Sequence, residues 1–128
     1  MKNILKASLL VCSMAFMAAS CDRKDDVEIG GKGGTTTLNV TAKHHGKIIP
    51  NCTIHIKYNT QDAASTYDEN VTANGNTATF TSLKKGKYYL YGEGYDSAIA
   101  QQVKGGAPYT ITADNTTLNY DLAVTEGD

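Results

Sequence analysis

Cys52-Thr53-Ile54-His55-Ile56-Lys57-Tyr58 decides the fold class, because apolar residues alternate with polar ones along it. Successive side chains of a strand point to opposite faces, so the run 48–58 turns Cys52, Ile54 and Ile56 inward and Thr53, His55 and Lys57 outward. The same period recurs on both sides of it. Upstream, Leu38, Val40 and Ala42 share a face. Downstream, 68–74 reads as a short strand, Asn74-Gly75-Asn76 as a tight turn, and 77–81 as a strand with Ala78 and Phe80 inside. Further strands are expected over 88–93, 98–104, 109–113 and 117–124, the last with Leu118, Tyr120, Leu122 and Val124 on one side. Seven or eight short strands separated by turn residues predict an all-β sandwich.

The chain has 128 residues, 41% of them hydrophobic, and a formal charge of −1, which suits a single soluble domain once its N-terminal apolar run is set aside. Removing Lys2 and Lys6 with that run leaves 10 of the 12 basic residues against 13 acidic ones, a net of −3. The only tight basic cluster, Lys84, Lys85 and Lys87, reads as a solvated turn. Nucleic acid is therefore not expected as a partner. Of the three cysteines, Cys12 lies in the apolar run, Cys21 follows it, and Cys52 on an apolar strand face reads as a small buried hydrophobe.

Residues 1–20 have the form of a secretion signal, with Lys2 and Lys6 before an uncharged stretch shorter than the ~20 apolar residues of a spanning helix. Ala18-Ala19-Ser20 before Cys21 resembles the lipobox of bacterial lipoprotein precursors, with Ala18 where that family more often carries Leu. The resemblance implies a diacylglyceryl thioether on Cys21 and an acyl chain on its amine. Each buried methylene contributes ~0.8 kcal/mol, so three chains hold a protein on a membrane where one does not. Lys24-Asp25-Asp26 resembles the export signal that sends lipoproteins of some anaerobic Gram-negative bacteria to the outer face of the outer membrane. The alternatives are an ordinary secretory signal that leaves Cys21 a free thiol, and a charged spacer on a periplasm-facing lipoprotein. Residues 21–34 read as an acidic and then glycine-rich flexible tether, 35–125 as the sandwich, and 126–128 as a C-terminal tail. Gly30-Gly31-Lys32-Gly33-Gly34 lacks the spacing and following helix of a phosphate loop.

Phe80-x-x-Leu83-x-x-Gly86-x-Tyr88 followed by Leu90 resembles the core motif of prealbumin-like domains, which include carboxypeptidase-regulatory-like and collagen-adhesin B-type modules. Leu38-x-Val40, Gly46 and Ile49-Pro50-Asn51-Cys52-x-Ile54 match the opening of such a domain loosely. The resemblance covers roughly 35–125 and implies a Greek-key, prealbumin-like or Ig-like sandwich. Leu83 and Gly86 would shape a corner between sheets, and Tyr88 would bury its ring while its hydroxyl bonds nearby backbone. Some adhesin modules of this kind form a Lys-Asn isopeptide bond under a Glu four residues after the motif tyrosine. Here that position is Gly92, and Glu93 should face outward. Another branch hydrolyses a purine-derived substrate with conserved His and Arg, but the one arginine in this chain, Arg23, lies in the tether.

No catalytic residues, cofactor or metal site are expected. Serine-nucleophile and zinc-peptidase motifs are missing. His44 and His45 should point to opposite faces, and His55 lies roughly 25 Å away at ~3.4 Å per residue. Tyr89, Tyr91 and Tyr95 form a candidate binding face, since alternation with Tyr88 and Leu90 puts the first two outside, although strand packing alone also favours tyrosine. Asp96-Ser97-Ala98 resembles an O-glycosylation sequon of exported proteins in some anaerobic Gram-negative bacteria, which makes Ser97 a candidate modification site. The chain is thus expected to be a non-enzymatic outer-membrane, surface-exposed lipoprotein, attached to the membrane by lipid and acting as a binding or structural module for a protein or glycan. A periplasm-facing structural lipoprotein without a ligand, or an enzyme of unfamiliar class, are the competing readings.

Overall fold

The computed structural model describes residues 29–126, which contain eight strands and no helix. Expectations for the signal, Cys21 and Lys24-Asp25-Asp26 fall outside the described residues. The strands are β1 (Lys32–His44), β2 (Lys47–Ile48), β3 (Thr53–Tyr58), β4 (Glu69–Thr72), β5 (Ala78–Leu83), β6 (Gly86–Asp96), β7 (Gln101–Ile111) and β8 (Thr117–Ala123).

Two sheets result. In the first, β1 is central: β8 runs parallel to it from Thr37 opposite Thr117 to Lys43 opposite Ala123, while β5 and β2 share its other edge, antiparallel. The second is antiparallel in the order β4-β3-β6-β7. Their inner faces meet through the residues that alternation selects. Leu38, Val40, Ala42, Ala78, Phe80 and Leu122 from one sheet, and Cys52, Ile54, Ile56, Tyr88, Leu90, Val103 and Ile111 from the other, form one buried cluster. Gly92 faces inward where a Cβ would press on Leu122 and Ile54 at 2.9 and 3.0 Å, so the sheets approach closely there. Cys52 is buried and bonded to the Ile49 carbonyl, as a small core residue, and burial pushes its thiol pKa up.

Four expectations of strand and boundary need correction. The run 48–58 is not one strand: Ile48 ends β2 in the first sheet and β3 begins at Thr53 in the second, the chain turning between them through Pro50 and Asn51. The strands anticipated over 98–104 and 109–113 are one strand, β7, which pairs with β6 along all of Gln101–Ile111. Gly105, Gly106 and Pro108 read as breakers, but β7 is an edge strand, where a missing N–H is tolerated. The two glycines serve close contacts: a Cβ on Gly105 would strike the Ala123 carbonyl, and one on Gly106 would lie 2.5 Å from the Tyr89 hydroxyl. The tether does not extend to Gly34. Gly30 and Gly31 are buried and β1 begins at Lys32, because the glycines pass against the corner between β5 and β6. Nor is Glu126 part of a free tail, since it bonds to His44, and Thr125 bridges to Lys104.

Tyr88 holds the corner. Its ring is fully buried against the edge of Tyr58, and its hydroxyl accepts the Gly31 N–H at 2.7 Å and donates to the Lys84 carbonyl at 2.6 Å. Tyr88→Phe keeps the ring and leaves a buried N–H without its partner. We expect a loss of about 1–3 kcal/mol in urea denaturation. An unchanged midpoint would mean that the hydroxyl contacts contribute nothing.

Candidate functional site

Odd-numbered residues of β6 face outward, which places Tyr89, Tyr91, Glu93 and Tyr95 on the solvent side of the second sheet. Cross-strand register gives each a neighbour: Lys57 and Pro108 flank Tyr89, His55 and Gly106 flank Tyr91, and Thr53 and Lys104 flank Glu93. The loop 59–68 is fastened back onto the sheet by Gln61, whose amide donates to the Tyr88 and Tyr109 carbonyls at 3.2 and 3.3 Å. That loop delivers Tyr67, which stacks on Tyr91 with ring centroids 6.0 Å apart and planes only 16° apart. His55 completes the cluster, 5.5 Å from Tyr67 and 5.8 Å from Tyr91, and its Nε2 meets the Glu93 carboxylate at 2.7 Å.

The patch combines half-buried rings with polar groups at its edge. Burial, with help from neighbouring carboxylates, pushes the Tyr89 and Tyr91 phenols above their ordinary value, so both hydroxyls remain neutral donors. Glycine at 106 lets Tyr89 lean across β7, and any larger residue would lift the ring. Such a surface offers flat apolar faces with hydrogen-bonding groups around them, the combination that sugar rings engage.

Tyr91 and Tyr89 belong to this patch as alternation predicted. Tyr95 shares the face but lies opposite Gln102, roughly 14 Å along the strand from Tyr91 at ~3.4 Å per residue, and is half exposed. Ser97 is exposed in the turn between β6 and β7. Glu93 faces outward, and Gly92 occupies the inward position beside it. Tyr67 and His55 are the members that sequence reasoning missed. Tyr67 sits in an aperiodic loop, and the only sequence signal for His55 is its outward position on β3, whose pairing with β6 is not encoded by alternation.

A second cluster lies at the far end of β1, where the expected geometry needs correction. His44 and His45 do not diverge: their ring centroids are 4.2 Å apart. Strand alternation stops at His44, and His45 adopts φ of 52°, which swings its ring back beside its neighbour. His44 is buried, its Nδ1 bonded to Asp96 at 2.8 Å and its Nε2 to Glu126 at 2.6 Å. The Asp96 hydrogen bond, opposed by burial and reinforced by Glu126, raises the His44 pKa. Both carboxylates are lowered, Asp96 first by its bond to His44, and Glu126 first by a backbone hydrogen bond and then by His44. Protonated His44 therefore stabilises the fold fully below about pH 6.5, the ordinary histidine value, and loses that contribution as pH rises through its higher folded value. The carboxylates act oppositely, stabilising above their unfolded values and failing in acid. In chelator-treated protein the urea midpoint should fall as pH rises above about 6.5, and His44→Gln should flatten that slope. An equal slope in the variant would contradict the assignment.

The fold and the patch define an all-β protein of two facing sheets with an aromatic outer face. No protein-family model matches the chain, and no curated protein matches it.

Proposed function

We propose that the chain is a non-enzymatic, lipid-anchored binding module on the surface of a bacterial outer membrane, and that the face built by Tyr67, Tyr89 and Tyr91 holds a glycan. The observation that carries this reading is the parallel stack of Tyr67 on Tyr91, supplied by a loop pinned to the sheet and bordered by the His55–Glu93 pair. A preformed platform costs little ordering on binding, and hydroxyl donors beside it suit the edges of a sugar. A protein partner is the competing reading.

The sandwich itself is taken as a prealbumin-like Greek key, supported by the corner at Leu83, Gly86 and Tyr88 and by a chain that changes sheets after β2, β4, β5 and β7. For attachment, the support is the lipobox-like Ala18-Ala19-Ser20-Cys21 and the charged Lys24-Asp25-Asp26. β1 adds a geometric argument: past the bulge in which Lys32 and Thr36 both pair with Leu83, the strand from Thr36 to His44, at roughly 3.3 Å per residue, puts about 26 Å between the end nearer the anchor and the distal end. Ser97 follows Asp96 at that distal end, within reach of a modifying enzyme.

Two experiments test the proposal. Polysaccharides arrayed against the full chain should retain it; a blank array together with a specific envelope protein in a pull-down would replace the glycan with a protein partner. Protease added to intact cells should remove the domain. Protection until the outer membrane is opened would favour a periplasm-facing lipoprotein.

A further inference from the structure

The distal end of the sandwich gathers side chains that the aromatic patch does not use. We propose that His44, His45 and Glu126 form a binding site for a divalent transition ion of the zinc class, with Asp96 as its positioning residue.

Each of the three residues offers one ligand atom, and these atoms lie within 4.8 Å of one another. Zinc–nitrogen and zinc–oxygen bonds of about 2.0–2.2 Å place tetrahedral ligands roughly 3.3 Å apart, so no gap need close by more than about 1.5 Å, while the 2.6 Å contact between His44 and Glu126 must open by about 0.7 Å. His44 need not move. His45 and Glu126 are exposed side chains and supply the movement.

The local backbone supports this use. His45 and Gly46 form a two-residue turn between β1 and β2 with φ of 52° and 81°. Asn-Gly is the favoured pair for such a turn, and histidine there is a less comfortable choice. Its effect is to bring a second imidazole to the same side as the first. Asp96 takes the far nitrogen of His44, Nδ1, and is itself held by the Ala98 N–H at 3.0 Å. A carboxylate on one ring nitrogen fixes the tautomer that presents the other to a metal. Nε2 is the nitrogen that faces Glu126.

An imidazolium held between two carboxylates would account for Asp96 and Glu126 but leaves His45 without a role. With an ion bound, the metal replaces the Nε2 proton, which passes to solvent. Two imidazoles and one carboxylate then leave a coordination position open to water. Imidazole ligands select zinc, copper or nickel over magnesium and calcium.

The test is calorimetric titration of the full chain with Zn²⁺, accompanied by the visible spectrum of the Co²⁺-loaded protein. One ion per chain is expected, with a Co²⁺ spectrum that lacks a thiolate charge-transfer band. His45→Asn, which suits the turn and should fold normally, and Glu126→Gln should each weaken Zn²⁺ binding at least tenfold. Asp96→Asn should weaken it by about 10–100-fold, as loss of an outer-shell carboxylate does. Absence of binding for Zn²⁺, Cu²⁺ and Ni²⁺ would overturn the proposal. So would undiminished affinity in His45→Asn, or a thiolate band that assigns the ion to cysteine.

Discussion

Gly86→Ala will lower the stability of the domain by at least about 3 kcal/mol, read as a shift of the urea midpoint, whereas Gly46→Ala will cost only about 1 kcal/mol. Both glycines have positive φ, 150° at Gly86 and 81° at Gly46, so both substitutions strain the backbone. What separates them is space. A Cβ at Gly46 would meet nothing within 4 Å, while one at Gly86 would strike the backbone of Gly30, which cannot yield as a side-chain tip can. The clash would lift the N-terminal segment from the corner and release the Gly31 N–H from Tyr88. Equal losses for the two variants would show that this segment does not pack where described.

The second large effect concerns binding. Tyr67→Ala combined with Tyr91→Ala should leave the fold intact, since both rings lie outside the core cluster. It should also weaken the glycan by roughly 30-fold or more, the equivalent of about 2 kcal/mol for truncating central aromatic contacts. Phenylalanine at both positions keeps the stack and loses two hydroxyl donors, so it should retain most of the affinity if ring contact dominates. A loss in the phenylalanine pair as large as that in the alanine pair would reverse that assignment.

Legibility followed the range of the interactions. The alternations Leu38–Val40–Ala42 and Cys52–Ile54–Ile56 were readable because they are local, and they selected the core that is observed. The corner from Phe80 to Tyr88 was readable too, including a buried ring whose hydroxyl meets backbone. β7 was not, because Gly105, Gly106 and Pro108 carry local signals for turns, and only β6 and β8 beside the strand show why those residues suit an edge. The burial of Gly30 and Gly31 was hidden for a similar reason: a glycine run has the composition of a linker whether or not another segment requires its small size. The candidate sites divide the same way. Alternation found Tyr89 and Tyr91, but Tyr67 comes from a loop that Gln61 fixes through two carbonyls distant in sequence. His44 meets Glu126 across 82 positions, and the swing of His45 depends on a turn conformation that alternation does not encode.

Glycan binding through the tyrosine face is tested by comparing the full chain with its Tyr91→Ala variant on the same polysaccharide array, with matched urea midpoints. Retention by the unaltered protein is expected, with a loss of roughly tenfold or more in the variant at unchanged stability. Binding that is undiminished in Tyr91→Ala, or no glycan retained by the unaltered chain, would contradict it.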